Sequence, residues 1–172
     1  LHYDKLVLAT GADPVRPPLP GMALDGVYVL RSIDDAQKLK ECLGPGKKLA
    51  IIGAGYIGLE VAASAAALGA KVVVFERESR ILARVACNTL SAFFQNYHED
   101  RGVDFVLGAE VASFVDKFGN VSGVRLADGE VIQCDAVVVG VGARPNVGIA
   151  RDSGLSIDGG ILVDLEARTS DP

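Results

Sequence analysis

Short, unbroken apolar runs alternate along this chain with longer stretches in which apolar residues recur every three or four positions. Unbroken runs are typical of strands buried on both faces of a parallel sheet, whereas the longer period is typical of helices. The pattern predicts strands at residues 5–9, 48–52, 71–75 and 136–139, and helices at residues 33–43, 56–68 and 88–100. This alternation predicts an α/β fold, with a Rossmann-like parallel sheet and flanking helices.

The first two predicted helices carry recognisable end signals. Ser32 is placed to cap the first helix, Asp35 occupies its third position, and Gly44 follows its end. The second helix is rich in alanine and is closed by Gly69. Its small side chains allow it to lie close to a sheet, so it should connect the strands on either side of it as a βαβ unit.

An aromatic stripe marks the third predicted helix. Leu90, Phe93, Phe94 and Tyr97 recur at helical spacing and therefore share one face. We expect this face to pack against the core.

From Val103 onward the apolar runs become shorter and are separated by turn residues. The predicted strands are residues 103–106, 111–115, 121–126 and 131–134. Gly119-Asn120 and Asp128-Gly129 supply the residues that hairpin turns require. We therefore expect an antiparallel β-meander, and one more strand at residues 161–163.

Composition and charge exclude several classes of protein. The 172 residues carry 17 basic and 22 acidic side chains, a net charge of −5, with no basic block, so no nucleic-acid partner is expected. No apolar run approaches the roughly 20 residues of a membrane helix, and no secretory leader opens the sequence. We expect no membrane association and a cytoplasmic location.

The three cysteines are widely separated. Cys42, Cys87 and Cys134 form no CxxC pair, which argues against a disulfide framework, a metal site or a dithiol redox centre. We expect all three to be small buried hydrophobic residues.

A glycine-rich turn carries the strongest functional signal. Gly53, Gly55 and Gly58 form a GxGxxG pattern directly after a predicted strand and at the start of a predicted helix. The first glycine permits a tight turn, the second leaves room for a pyrophosphate, and the third lets helix and strand approach. With Tyr56 and Ile57 between them, these residues predict a dinucleotide site at a helix N-terminus.

An acidic residue follows at the spacing that this site requires. Glu76 lies 18 residues after Gly58, at the end of the next predicted strand. A carboxylate there accepts hydrogen bonds from the adenosine ribose hydroxyls and repels a 2′-phosphate, so NADH is favoured over NADPH. Arg77 and Arg80 leave NADPH open, because either side chain could turn to a phosphate. While Glu76 occupies the key position, we expect both arginines to be solvated surface charges.

Two further residues of the second helix are candidates for the nicotinamide end of the site. Glu60 is a charged residue among apolar neighbours, so it requires a partner or a purpose if it is buried. Tyr56 is either a cover for the nicotinamide pocket or an aromatic residue packed on the surface. Neither His2 nor His98 has a visible catalytic partner.

Several segments together resemble one family. Residues 3–12, 52–60 and 139–146 are similar to the three internal signatures of two-dinucleotide flavoprotein reductases. Residues 80–86, leading into residues 93–98, resemble the FAD-dependent NADH:ferredoxin or rubredoxin reductases within that group. The resemblance spans nearly the whole chain.

The resemblance implies a longer, three-domain protein. Residues 29–143 would be its inserted NADH domain, and residues 1–28 and 144–172 would flank that domain as parts of a split FAD domain. Thr10 and Gly11 would lie on the FAD side. The glycine turn that holds the FAD pyrophosphate in this family has no counterpart here, so we expect this chain to bind NADH but not FAD.

The implied reaction is hydride transfer from NADH to FAD, followed by electron transfer to a ferredoxin or rubredoxin. The cofactors carry this chemistry, and the protein supplies geometry. By resemblance, Gly140, Val141 and Gly142 form a loop that approaches the nicotinamide half of NADH, and Glu60 orients its carboxamide. No metal ligand is implied.

Alternatives remain at this point. A disulfide or peroxide reductase, or an NADH oxidase, of the same superfamily would share these signatures. A non-catalytic NAD-binding module would share the glycine turn alone. A short-chain dehydrogenase is excluded, because no tyrosine is followed by lysine four residues later.

Overall fold

A computed structural model describes residues 2–171. In chain order the strands are β1 (Ala12–Pro14), β2 (Val27–Tyr28), β3 (Lys48–Ile52), β4 (Lys71–Glu76), β5 (Val103–Leu107), β6 (Val111–Lys117), β7 (Asn120–Leu126), β8 (Val131–Gln133), β9 (Ala136–Val139) and β10 (Ala143–Pro145). The helices are α1 (Ile33–Glu41), α2 (Tyr56–Ala67), α3 (Asn88–Glu99) and α4 (Gly148–Asp152).

The chain divides into two compact units. The larger is Arg16–Val141, and the smaller combines the described parts of Leu1–Val15 and Gly142–Pro172. In the smaller unit, β1 and β10 form an antiparallel pair.

The larger unit is built on a five-stranded sheet in the order β2-β9-β3-β4-β5. All four pairings in this sheet are parallel. A second, antiparallel sheet has the order β6-β7-β8. The α/β class with a parallel sheet and a β-meander is confirmed.

The parallel sheet is covered differently on its two faces. Leu49 and Ile51 of β3 belong to a core cluster shared with α1 and α2. Ala50 and Ile52, which point to the opposite face, belong to a cluster shared with β6 and β7. Burial on both faces explains why β3 and β9 read as unbroken apolar runs.

The predicted helix ends agree with the structure where a capping residue or a glycine determines them. The Ser32 hydroxyl accepts a hydrogen bond from the Asp35 backbone N–H, and the Asp35 carboxylate accepts from the Ser32 backbone N–H. This capping box lowers the pKa of Asp35, because the hydrogen bonds from Ser32 favour the charged carboxylate. After α2, Gly69 adopts a φ of +87°, the left-handed conformation that commonly ends a helix.

Two strands predicted near the chain ends are not formed. Residues 5–9 are irregular, and Val7 is 83% exposed. No strand within residues 2–171 pairs with this segment, so its backbone lacks the partners that a sheet supplies. Residues 161–163 contribute only a single bridge, between Ile157 and Ile161. Helix α4 was not predicted.

Strand β5 belongs to the parallel sheet and not to the meander. Its Phe105 is in register with Val74 of β4, and the two strands run parallel. The meander therefore has three strands, β6 to β8, and not four. The prediction failed because a single short apolar run does not reveal which neighbour it pairs with.

The predicted buried face of α3 is exposed. Leu90, Phe93, Phe94 and Tyr97 are between 38% and 58% exposed, and we call them the aromatic stripe. The buried residues of α3 are Ser91 and His98.

The contacts of Ser91 and His98 explain why α3 buries polar residues. The Ser91 hydroxyl is hydrogen-bonded to the Ile81 carbonyl, and the His98 ring lies edge-on to Phe105. Burial lowers the pKa of His98, which favours the neutral imidazole. The stripe prediction was wrong because helical spacing shows that residues share a face, but not which face the core takes.

The three cysteines occupy different environments. Cys134 is buried, and that burial, assisted by Asp135, raises its pKa to about 12. Cys42 is half-buried, and its Sγ lies 3.1 Å from the Tyr28 hydroxyl. Cys87 is exposed at the start of α3, so the prediction that all three cysteines are buried was wrong for this residue.

We expect thiol reagents to label these cysteines in a fixed order. A reagent such as iodoacetamide should modify Cys87 first in the folded chain, because thiolate formation and access both govern the rate. Cys134 should react only after unfolding. Mass mapping of the modified peptides over time checks this order, and early labelling of Cys134 would contradict its placement in the core.

No helix within residues 2–171 is both long enough and apolar enough to cross a membrane.

Candidate functional site

The GxGxxG turn joins the end of β3 to the start of α2, and two of its glycines are required by close contacts. Gly53 has a φ of +102°, and a Cβ there would lie 2.6 Å from the Gly140 carbonyl oxygen. A Cβ on Gly58 would lie 2.1 Å from the Gly53 carbonyl oxygen. The close approach at Gly58 agrees with the predicted packing of helix and strand, whereas the contact between Gly53 and Gly140, directly after β9, was not predicted.

Gly55 is different, because nothing in the fold requires it to be glycine. Apart from its chain neighbours, a Cβ at this position would meet no atom of residues 2–171 within 4 Å. Its φ of −82° and ψ of −174° are extended values that any residue adopts. The missing side chain leaves open space in front of the helix, which is the space that a pyrophosphate would need.

Backbone donors face this space without acceptors. Gly55 caps α2 but provides no side-chain hydrogen bond. Within residues 2–171, no acceptor is found for the N–H groups of Gly55, Tyr56 and Ile57. The first N–H groups of a helix carry a partial positive charge and bind phosphate oxygens readily. The turn therefore fits a dinucleotide pyrophosphate.

Glu76 lies beside this turn, at the end of β4. One carboxylate oxygen, Oε2, accepts a hydrogen bond of 2.7 Å from the Ala54 N–H, and Oε1 accepts one of 2.9 Å from the Glu78 N–H. These bonds fix the orientation of the carboxylate. An ionised carboxylate has about four acceptor positions, so capacity for ribose hydroxyls remains.

The two arginines near Glu76 have different surroundings. Arg80 is half-buried, and its guanidinium donates to the carbonyls of Ala83 and Ala86 and to the Ser91 hydroxyl. Three of its five N–H donors are therefore bonded within the protein, so it is not a solvated surface charge. The Arg77 side chain is 82% exposed and lies 3.8 Å from the Glu78 carboxylate.

The exposed side of α2 carries the candidates for the nicotinamide end. Tyr56, Ile57 and Glu60 are all exposed. Ile57 and Glu60 also line a cavity of about 370 Å³ between α1 and α2, whose wall includes Lys40. Glu60 forms no ion pair or side-chain hydrogen bond within residues 2–171, but it is not buried. Because Glu60 is exposed, the argument from burial does not apply to it, and its role stays a prediction from resemblance.

The loop after β9 is shared between the two compact units. Gly140 and Val141 belong to the larger unit, where the Gly140 N–H donates to the Ile52 carbonyl at 2.8 Å. Gly142 belongs to the smaller unit, where its carbonyl accepts from the Val15 N–H at 2.9 Å. Within the larger unit, Gly140 therefore lies at the glycine turn.

Thr10 and Gly11 lie in the smaller unit. The Thr10 hydroxyl donates to the Asn146 carbonyl, and the Asn146 side-chain amide donates to the Thr10 carbonyl at 3.2 Å. The Asn146 N–H donates to the Gly11 carbonyl at 2.8 Å. Two of the three segments that carried the family resemblance are thus hydrogen-bonded to each other.

Sequence reasoning missed the part that Ala54 and Leu82 play in the turn. The Ala54 carbonyl accepts a hydrogen bond of 3.0 Å from the Leu82 N–H. Ala54 lies between Gly53 and Gly55, so its place in the turn could have been predicted from the motif. No pattern in the sequence indicated that its partner would lie 28 residues later.

Comparison with known protein families identifies the group to which this geometry belongs. The family model of the pyridine nucleotide-disulphide oxidoreductases matches residues 1–172. The chain belongs to this family.

Curated relatives and solved structures place the chain near one branch of the pyridine nucleotide-disulphide oxidoreductases. A probable ferredoxin reductase of Castellaniella defragrans is 51% identical over 100% of this chain and 42% of its own length. A rubredoxin-NAD(+) reductase of Pseudomonas putida is 39% identical over 98% of this chain and 44% of its own length.

A crystal structure agrees with these relatives. The ferredoxin reductase of a Rhodopseudomonas palustris cytochrome system has a TM-score of 0.95 and 41% identity, over 100% of this chain and 43% of that one. The chain thus spans less than half the length of these relatives.

Proposed function

We propose that the Arg16–Val141 unit binds NADH within a flavoprotein reductase. The single observation that carries this proposal is Gly55, whose missing side chain is explained by neither packing nor backbone conformation. The N–H groups of Gly55, Tyr56 and Ile57, at the start of α2, have no acceptor within residues 2–171. The predicted division, an NADH domain between two FAD-domain flanks, is part of this proposal, with the NADH domain extended from residues 29–143 to the compact unit Arg16–Val141.

Each residue of the proposed site has a distinct task. The N–H groups of Gly55, Tyr56 and Ile57 hold the pyrophosphate, and Glu76 accepts the adenosine ribose hydroxyls. Tyr56 and Glu60 lie toward the nicotinamide end, where Glu60 orients the carboxamide. Bound NADH supplies a hydride to a flavin, and the protein's contribution is to hold the two in position.

Preference for NADH over NADPH follows from the anchored carboxylate. Glu76 is held by two backbone N–H groups and therefore stays beside the turn. A 2′-phosphate at the ribose would meet this charge, and like charges repel. Arg80 offers less compensation than an unbonded guanidinium would, since three of its five N–H donors are bonded to two carbonyls and a hydroxyl.

We expect Glu76→Ala to weaken NADH binding by about 1–2 kcal/mol, the typical contribution of charged hydrogen bonds. The wild-type chain should bind NADH more tightly than NADPH, and this preference should shrink in Glu76→Gln, which keeps the shape but removes the charge. Calorimetric titration of the chain without flavin, at one salt concentration, measures both constants.

Glu78→Ala is the control for this titration, because Glu78 is exposed and its backbone N–H, which remains, makes the contact with Glu76. It should bind NADH as the wild type does. Equal NADH affinity in wild type and Glu76→Ala would remove Glu76 from the site. If the wild-type chain binds neither nucleotide, the proposal fails for this chain alone.

We further propose that this chain is part of a longer protein, which binds FAD and passes electrons to a separate acceptor protein. The sequence has one GxGxxG turn, and the chain spans 42–44% of the length of two reductase relatives. Those relatives are named for ferredoxin and rubredoxin, which are therefore the proposed acceptors. Thr10 and Gly11, bound to Asn146, would lie on the FAD side.

Another branch of the family, a disulfide or peroxide reductase or an NADH oxidase, is the second candidate. Assaying the flavoprotein that contains this chain with ferredoxin, a disulfide, peroxide or dioxygen as acceptor distinguishes these reactions.

A further inference from the structure

The loop that connects β4 to α3, residues 77–87, is organised around one side chain. Arg80 Nη1 donates to the Ala86 carbonyl at 2.8 Å, and Nη2 donates to the Ala83 carbonyl at 2.7 Å. Charged hydrogen bonds of this length are among the stronger ones in proteins. The guanidinium therefore fixes the path of the 77–87 loop from inside.

The same guanidinium ties the 77–87 loop to helix α3. Arg80 Nη1 also donates to the Ser91 hydroxyl at 2.7 Å, and that hydroxyl donates to the Ile81 carbonyl at 2.7 Å. Ser91 is buried, so a hydroxyl without these partners would be costly there. Loop and helix thus form one hydrogen-bonded network.

This network ends at the glycine turn. Leu82, in the middle of the 77–87 loop, donates its N–H to the Ala54 carbonyl at 3.0 Å. Leu82 is buried and has a φ of +52°, a left-handed conformation that a non-glycine residue keeps only when its surroundings hold it. Glu76 binds the Ala54 N–H from the other side. The residue before Gly55 is therefore held at both its N–H and its carbonyl.

We infer that Arg80 is a positioning residue of the dinucleotide site. It shapes the 77–87 loop, the loop places the Leu82 N–H, and Leu82 with Glu76 fixes Ala54 and the N–H groups that follow it. This inference rests on the proposed NADH-binding function of the turn. Arg80 acts on NADH affinity without contacting the nucleotide.

Hydrogen exchange of the nucleotide-free chain tests the structural step directly. In Arg80→Gln, the amides of Ala54 and Leu82 should exchange at least about tenfold faster than in wild type, because local opening becomes easier. The amide of Val138, in the central strand β9, should keep its protection. Arg77→Gln is the matched control, since it removes the same charge from an exposed position of the same loop.

Titration with NADH tests the functional step. The dissociation constant should rise roughly tenfold in Arg80→Gln, which equals about 1.4 kcal/mol, and should not change in Arg77→Gln. Arg80→Lys should give an intermediate value, because an ammonium group lacks the planar fork that bonds several acceptors at once. A purely structural role would lower thermal stability without this graded change in affinity.

The outcomes separate the inference from the function on which it rests. Unchanged exchange at Ala54 and Leu82 in Arg80→Gln overturns the inference, as does an equal increase at Val138. Loss of protection confined to Ala54 and Leu82 supports the structural step, in which Arg80 holds the turn. An unchanged dissociation constant for NADH in Arg80→Gln overturns the functional step. If the wild-type chain binds no NADH, the proposed function fails, and the exchange result then describes the turn alone. If Arg80→Gln does not fold, Ser91→Ala removes one acceptor of the guanidinium and is judged by the same exchange comparison.

Discussion

Replacing Gly55 with valine should raise the dissociation constant for NADH by at least about a hundredfold, or roughly 2.7 kcal/mol. The cause is steric, because the side chain would occupy the open space in front of the unpaired N–H groups of α2. The fold should remain intact, because the backbone conformation is extended and a Cβ meets no atom within 4 Å. The exchange of glycine for valine at a helix cap costs about 1 kcal/mol.

Titration with NADH, together with thermal unfolding, checks this expectation. Gly148→Val is the control, because Gly148 also lies at a helix start, as the first residue of α4, and a Cβ there would meet no described atom within 4 Å. Gly148 belongs to the smaller unit. Gly148→Val should bind NADH as the wild type does. Normal NADH affinity in Gly55→Val would show that the turn does not hold the nucleotide.

Two phenylalanines should differ sharply in their effect on stability. Phe75 is 1% exposed in the core between the parallel sheet and the meander, so Phe75→Ala should lower the free energy of unfolding by about 3–5 kcal/mol. Phe93, in the aromatic stripe of α3, is 58% exposed. Phe93→Ala should cost less than about 1 kcal/mol, as exposed substitutions usually do.

Urea unfolding of the two variants, compared with the wild-type chain, measures both costs. Each variant removes the same ring, so the difference reports the surroundings and not the side chain. A loss of about 3 kcal/mol or more in Phe93→Ala would mean that the stripe is buried, as its helical spacing first indicated.

The family resemblance was based on short motifs, and the structure gives the glycine motif and Glu76 the positions that were predicted for them. The glycine turn lies between β3 and α2 as its position in the sequence required, and Glu76 lies beside it. The roles assigned to these residues in NADH binding stay predictions. The proposed role of Glu60 has less support. Because Glu60 is exposed, the argument from burial does not apply, and only the family resemblance supports its role.

The sequence by itself determined those features whose causes lie within a few residues. The Ser32–Asp35 capping box, the ending of α2 at Gly69 and the unbroken apolar run of β3 follow from local hydrogen bonds, backbone conformation and burial. A short motif is sufficient to specify each of them, because the partners are neighbours in the chain.

Only the tertiary structure decided which distant groups meet. The Ala54 carbonyl accepts from the Leu82 N–H, which lies 28 residues later, and the Arg80 guanidinium, which we expected to meet solvent or a phosphate, donates to Ser91 of α3. Strand β5 joined the parallel sheet, and α3 buried Ser91 and His98 while exposing its aromatic stripe. Periodicity specifies the faces of an element, but the choice of buried face depends on partners brought together by the whole fold.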